Sequence, residues 1–233
     1  MPGRADRTVD TPFTVRELSV VSRGDFGEKV AQALVSILPG AVSVVPHSEV
    51  TPDRLASARI VIVASWKEDV DALLALDQVC HAQGALLLPV VAQSPVVRIG
   101  PLCGRGPSCY ACYARRVWQH DPDPPLIAAV HRAFAEDTEL GVRGFIAPQA
   151  FACAAVAARL VCDPAVEEVA GRTVYFWNMA TAALRSETVV PVHGCVRCYE
   201  ASRCGIMNRV GGRVTADRAT GERVRDAALR TKR

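Results

Sequence analysis

Two Cys-x-x-Cys pairs, Cys109/Cys112 and Cys195/Cys198, separated by 82 residues, constrain this chain more than any other feature. A Cys-x-x-Cys turn brings two thiolates within reach of one metal ion. A second such turn completes a set of four soft sulfur ligands at about 2.3 Å, the tetrahedral arrangement that suits Zn²⁺. One pair alone is compatible with a redox dithiol. Two pairs among nine cysteines point to a structural zinc site built from Cys109, Cys112, Cys195 and Cys198. Four sulfurs leave no coordination position for water, so the ion would tie remote segments together without taking part in chemistry.

That reading wants a reducing compartment, and the rest of the chain agrees. The other cysteines (Cys80, Cys103, Cys153, Cys162 and Cys204) show no disulfide-framework spacing. The first fifteen residues carry charge and Pro12 without an apolar stretch of signal-peptide type. Apolar runs such as 60–64 and 85–92 are strand-length and too short to span a bilayer, and the longer run 145–162 is broken by Pro148, Gln149 and Arg159. A cytoplasmic, soluble protein is the expectation. At 233 residues, half of them hydrophobic, the chain can bury one generous core. Its net charge of +3 is uneven: from Arg203 onward nine Lys/Arg face three Asp/Glu. No aromatic residues interleave with these arginines as base stacking would require, so the basic end reads as solvated tail and nucleic acid is not an expected partner.

Hydrophobic periodicity gives the organisation. Residues 15–22 read as a strand, 23–27 as a glycine-bearing turn, and 26–38 as a helix with apolar positions at Val30, Ala31, Leu34, Val35 and Leu38. Residues 41–46 form a second strand and Thr51-Pro52 opens a short helical turn. The runs 59–64 and 85–91 are continuously apolar, as in parallel strands covered on both faces, with a helix over 68–83 between them. Residues 100–113 read as a loop around the first cysteine pair and 121–125 as a proline-rich spacer. Helices follow at 125–135 and 147–162. Strands at 172–177 and 188–192 form an antiparallel hairpin that delivers Cys195. The expectation is an α/β, Rossmann-like, doubly wound and mainly parallel sheet with a four-cysteine zinc site and a small C-terminal β-hairpin region. Its divisions are a flexible N-terminus at 1–14, the folded domain at 15–204 and a basic tail at 205–233.

The first strand, turn and helix invite comparison with a dinucleotide-binding unit. The turn holds Ser22, Gly24 and Gly27, an S-x-G-x-x-G in place of G-x-G-x-x-G. Asp25 adds a negative charge where a phosphate needs donors. The second strand ends in Pro46-His47, with no acidic residue for a ribose hydroxyl. The pattern is that of a nucleotide loop that kept its fold-forming glycines and lost its ligand.

Taken with these features, several stretches make the chain similar to the ThiF-type proteins of the ubiquitin-activating superfamily. They are the degenerate turn at Ser22–Gly27, the helix-to-strand step 79–91, the run Val97-Arg98-Ile99-Gly100-Pro101-Leu102 leading to Cys109-Tyr110-Ala111-Cys112, and His193-Gly194-Cys195-Val196-Arg197-Cys198. Specifically, it resembles the ThiF-like partner proteins of YcaO cyclodehydratases in thiazole/oxazole-modified peptide biosynthesis, over about residues 15–200. The resemblance implies structural zinc, a YcaO-type enzyme and a ribosomal precursor peptide as partners, and a homodimer through the sheet and adjoining helices. It also implies where the chain departs from active members. Those use an Asp after the second strand, phosphate-binding Arg and Lys, and a Mg²⁺-binding Asp; here His47 and Ala64-Ser65-Trp66 stand in two of these places, and Lys67 is the one phosphate-type cation nearby. The expected function is a non-catalytic scaffold subunit, with ATP not expected to bind. The leader-clamping winged-helix module of this branch does not fit in the fourteen residues before the first strand, so leader binding falls to another surface or partner. The alternative is a divergent adenylyltransferase that activates the C-terminus of a sulfur-carrier-like protein. It would draw a thioester nucleophile from Cys103, Cys153, Cys162 or Cys204, of which Cys103 and Cys204 lie in glycine-rich segments and read as the reachable ones. Trp66, Trp118 and Trp177 read as packing residues, Trp118 with a possible partner surface near the cysteine loop, and His193 as an outer neighbour of the metal site.

Overall fold

The computed structural model describes residues 17–104, 108–137, 139–163 and 173–198. The N-terminal segment 1–14, the tail 205–233 and Cys204 lie outside the described residues. In chain order the elements are β1 (Leu18–Arg23), α1 (Gly24–Ile37), β2 (Val42–Pro46), α2 (Pro52–Leu55), β3 (Ile60–Ser65), α3 (Val70–Gln83), β4 (Leu86–Gln93) and β5 (Val96–Ile99). They continue with α4 (Tyr110–His120), α5 (Pro124–Glu136), α6 (Ala147–Val161), β6 (Thr173–Asn178) and β7 (Leu184–Thr188).

All seven strands form one sheet in the order β2-β1-β3-β4-β5-β6-β7. The apolar strands predicted from sequence pair in parallel, β1 with β2 and β3, and β3 with β4. The side chains of β1, β3 and β4 are buried on both faces, which is why they read as unbroken runs: every residue of β3 is buried, whereas at the edge strand β2 only Val45 is. From β4 onward each pairing is antiparallel. Because β6 reverses the reversal at β5, five of the seven strands still point the same way. The expected hairpin exists, but its second strand is Leu184–Thr188, ahead of the expected 188–192. Nor is it a separate small region: β6 pairs with β5 and extends the main sheet.

Helices cover the two faces. On one, α1 and α6 pack together over Leu18, Val20, Ile60, Ile62, Leu88 and Val97. The alanine-rich side of α6 (Ala150, Ala154, Ala157, Ala158) carries little volume, so this helix lies close to α1. On the other face, α3 and α4 cover Val21, Val61, Val63, Leu87 and Val91. The helix α4 was not anticipated. Residues 110–113, read as loop because of the surrounding glycines and prolines, already form its first turn.

The segment 23–27 also differs from expectation. β1 runs to Arg23 and α1 starts at Gly24, so no loop intervenes. Gly24 takes a positive φ of 67° to make that change of direction in one residue. At Gly27 the constraint is space: a Cβ there would lie 2.3 Å from the carbonyl oxygen of Ala64 on β3. Substituting Gly27→Ala forces backbone apart in a packed core, and urea denaturation is expected to show a loss of about 1–3 kcal/mol.

Candidate metal centre and switch-point crevice

The four predicted cysteines come together. Cys109 is the N-cap residue of α4 and Cys112 lies in its first turn. The chain leaving β7 then turns, with the Cys195 N–H donating to the Val192 carbonyl at 3.2 Å, and presents Cys195 and Cys198. All four sulfurs lie within 4.8 Å of one another. The Cys109–Cys195 and Cys112–Cys198 sulfurs are 3.8 and 3.7 Å apart. A tetrahedron with metal–sulfur bonds of about 2.3 Å has edges of about 3.8 Å, so the spacing suits Zn²⁺. Cys109, Cys112 and Cys198 are buried and Cys195 is half-buried.

Three contacts position this knuckle, and none was visible in the sequence. Arg197, inside the second pair, donates to the buried carboxylate of Asp77 on α3 at 2.6 Å. Arg116 on α4 donates to the carbonyls of Val190 and Pro191 at 3.1 and 2.8 Å. The Val192 N–H donates to the Cys112 sulfur at 3.4 Å. As bare thiols Cys109, Cys112 and Cys198 compete for negative charge. Hydrogen bonding from Cys198 holds Cys109 down to about 4, the same bond pushes Cys198 up, and burial pushes Cys112 up. A divalent cation would remove that competition by holding all four as thiolates, with Arg197 adding nearby positive charge. Elemental analysis of the purified chain should find about one zinc per molecule, and Cys109→Ser or Cys198→Ser should lose most of it. Stripping with a chelator should lower the melting temperature.

The second region sits where the sheet's winding reverses, at the C-terminal ends of β1 and β3, the place where open α/β sheets usually take ligands. Arg23, His47, Ser65, Lys67 and Asp69 line it. Arg23 pairs with Asp69 across it. Burial pushes the Asp69 pKa up, but bonds from the Ala72 N–H and from Arg23 outweigh that and hold it below the usual carboxylate value. Burial lowers the pKa of His47, and the Arg23 charge lowers it further. The space left inside is about 10 Å³, roughly what a single water needs.

Of the predicted turn only Arg23 lines this crevice; Ser22, Gly24 and Gly27 do not. Ser22 is buried in β1, and Gly24 opens α1. A Cβ on Gly24 would stand 2.4 Å from Cδ1 of Trp66. In a dinucleotide fold this side of the second glycine meets the pyrophosphate; here the indole holds it. Trp66 is 7% exposed, and Arg143 lies with its Cζ 4.9 Å from the ring. Lys67, expected as either a solvated residue or a phosphate ligand, is neither. It is 3% exposed and its Nζ donates to the carbonyls of Phe134 and Asp137, at 2.9 and 3.0 Å, at the C-terminal end of α5.

Beneath the crevice, Glu68 ties the parts together. It accepts from Arg98 Nη2 at 2.6 and 2.7 Å, from Gln93 Nε2 at 2.7 Å and from the Tyr110 hydroxyl. Arg98 also donates to the Gly100 carbonyl and stands 4.8 Å from the Tyr113 ring. Burial works against the charge of Arg98, but Glu68 overrides it and raises the pKa; burial followed by Glu68 raises that of Tyr110. The Arg of the Val97–Leu102 run is thus a buried anchor between crevice and knuckle. Substituting Glu68→Gln leaves Arg98 without its counter-charge inside the protein and should cost about 3–5 kcal/mol by chemical denaturation.

The remaining thiols offer little. Cys103, expected to be reachable, is buried, donates to the Pro101 carbonyl at 3.4 Å and has its pKa pushed well up by burial. Burial pushes Cys153 to about 12 and also raises Cys162. His193 is exposed in the turn before Cys195, Trp177 is half-buried, and Trp118 is half-exposed on α4. Among the described residues no helix is long and apolar enough to cross a membrane.

No protein-family profile and no curated protein sequence matches this chain. Solved structures do. The heterocyclase TruD superposes with a TM-score of 0.57 at 16% identity, covering 79% of this chain and 28% of TruD. The E. coli microcin synthetase McbBCD complex gives 0.56 at 11% identity, over 82% of this chain and 71% of the matched one. E. coli MccB, in complex with MccA, gives 0.52 at 13% identity, over 79% and 67%. At such identities the likeness is one of fold, and the chain spans little more than a quarter of TruD.

Proposed function

We propose that this chain is a ThiF-like scaffold subunit that docks a YcaO-type enzyme and helps present a ribosomal precursor peptide for azoline or azole formation. In this reading it acts in the cytoplasm, residues 15–204 form the working domain, and zinc is purely structural. The observation that carries the reading is Trp66 seated against Gly24, with Arg23 and Asp69 joined beside it. A chain that activated a carboxylate with ATP would need room and donors there for phosphates, and a carboxylate to hold Mg²⁺. Here the side chains are spent on one another. The fold shared with a heterocyclase and a microcin synthetase supports placing the chain in peptide natural-product assembly.

Within the proposed assembly, this chain's residues fix geometry and leave bond-making to the partner. The knuckle would hold the β7 exit against α3 and α4, and the Glu68 cluster would hold the strand ends against α4. Reconstituting the partner enzyme with its precursor should show heterocycle formation slowing roughly tenfold or more when this chain is omitted, the scale expected from losing a tethered arrangement. The chain alone should give no ATP–pyrophosphate exchange with any candidate carboxyl terminus. Equal rates with and without it would remove the scaffold reading, and clear exchange would favour the divergent adenylyltransferase.

A further inference from the structure

Among the described residues β7 ends the sheet, and all five of its residues are exposed. Hydrogen bonding fixes which way its backbone faces. The Asn178 N–H donates to the Ala183 carbonyl at 2.9 Å, and the register continues from Trp177 opposite Leu184 to Thr173 opposite Thr188. Bonded and non-bonded pairs alternate along an antiparallel ladder. Phe176/Arg185 and Val174/Glu187 are therefore the bonded pairs between β6 and β7. The other side of β6 agrees: the Met179 N–H donates to the Pro95 carbonyl at 2.9 Å, which turns the backbone groups of Trp177 and Tyr175 toward β5. It follows that the N–H and C=O groups of Leu184, Ser186 and Thr188 face the open edge.

That edge is self-complementary. With a two-fold axis at Ser186, a second β7 lies antiparallel to the first. Ser186 then meets Ser186, Leu184 meets Thr188, and Arg185 meets Glu187, twice over. Arg185 and Glu187 already share one face of the strand, 3.4 Å apart. The neighbouring registers that keep the same backbone facing set Arg185 against Arg185, or Glu187 against Glu187. Opposite charges across a ladder stabilise it and like charges destabilise it, so the pattern selects one register. The strand carries no proline and no lysine, devices that commonly protect an edge, whereas β2 at the other edge ends in Pro46. A foreign extended peptide would find the same ladder but not the reciprocal charges.

We propose that β7 is a self-association edge, through which two copies of this chain pair about Ser186 into one continuous sheet. Leu184, with Tyr175 and Trp177 on the same face, would be partly covered by the mate. The proposal does not rest on the scaffold reading. It uses the β7 edge alone, without the adjoining helices that the resemblance implies for a dimer.

The test is sedimentation velocity on the full chain over a range of concentrations. The wild type should form dimers. Arg185→Glu and Glu187→Arg should each weaken association at least about tenfold, because like charges then face each other twice. The double variant Arg185→Glu with Glu187→Arg should restore it, which a merely misfolded variant would not do. Ser186→Cys should cross-link to itself under mild oxidation and release on reduction. A monomer at every concentration, association unchanged in both single variants, no recovery in the double variant, or association only with an added extended peptide would each overturn the proposal.

Discussion

The convergence of four sulfurs is the constraint on which the second half of this molecule depends. The chain reaches Cys109 from β5 and does not bring Cys195 to that place until it has passed through three helices, α4, α5 and α6, and a hairpin. Nothing in local propensity would bring residues that far apart in sequence to a spacing of 3.7–3.8 Å. Closing so long a loop costs entropy, and a multivalent ion is an efficient way to offset it. The protein adds its own supports: Asp77 grips Arg197 from α3, and Arg116 grips the backbone just before the second pair. An ion binding there meets a frame in which the ligands are already ordered.

The crevice at the switch point is organised differently. Gly27 lets α1 press onto β3 and Gly24 makes the turn, as glycines do in a nucleotide-binding unit. The space those glycines provide is filled from within. Trp66 brings a large apolar surface to it, and Lys67 donates to the Phe134 and Asp137 carbonyls at the end of α5, the second of which also accepts from the Leu140 N–H. Arg23 and Asp69 neutralise each other across what remains. A lysine buried against a helix C-terminus faces the negative end of its dipole, a favourable place for a cation. Opening this region to a triphosphate would mean removing an indole and breaking both arrangements.

How much of this was legible in the sequence depended on whether the signal was local. Parallel strands such as Ile60–Ser65 were plain because burial on both faces demands an unbroken apolar run. The metal ligands were plain because thiolate pairs have a characteristic spacing. The helix α4 was hidden: Gly104, Gly106 and Pro107 just upstream suggested loop, while Arg115, Arg116 and Gln119 blurred its apolar face. The strand β5 was hidden for another reason. Four residues are too few to show a period, and nothing near Arg98 in the sequence announces its partner Glu68, thirty residues away. Cys103 looked reachable because of its glycine neighbours, but a bridge to Leu87 seats it beside the interior strand β4. Contacts between distant residues of ordinary type leave no local mark.

The sheet thus divides its labour. Its parallel half carries the switch-point crevice, crossed by the Arg23–Asp69 pair, and its antiparallel half carries the knuckle and the exposed β7. Glu68 joins the two halves, touching Arg98 on β5 and Tyr110 immediately after the first cysteine. Tyr110 follows Cys109 directly in the chain, so an ion at the sulfurs and the carboxylate below the crevice constrain the same helical turn from opposite sides. In the proposed scaffold, such a shared turn would hold the surfaces on either side of it at a fixed angle. Lys67, Trp66 and Arg143 likewise tie the segment between α5 and α6 to the crevice itself.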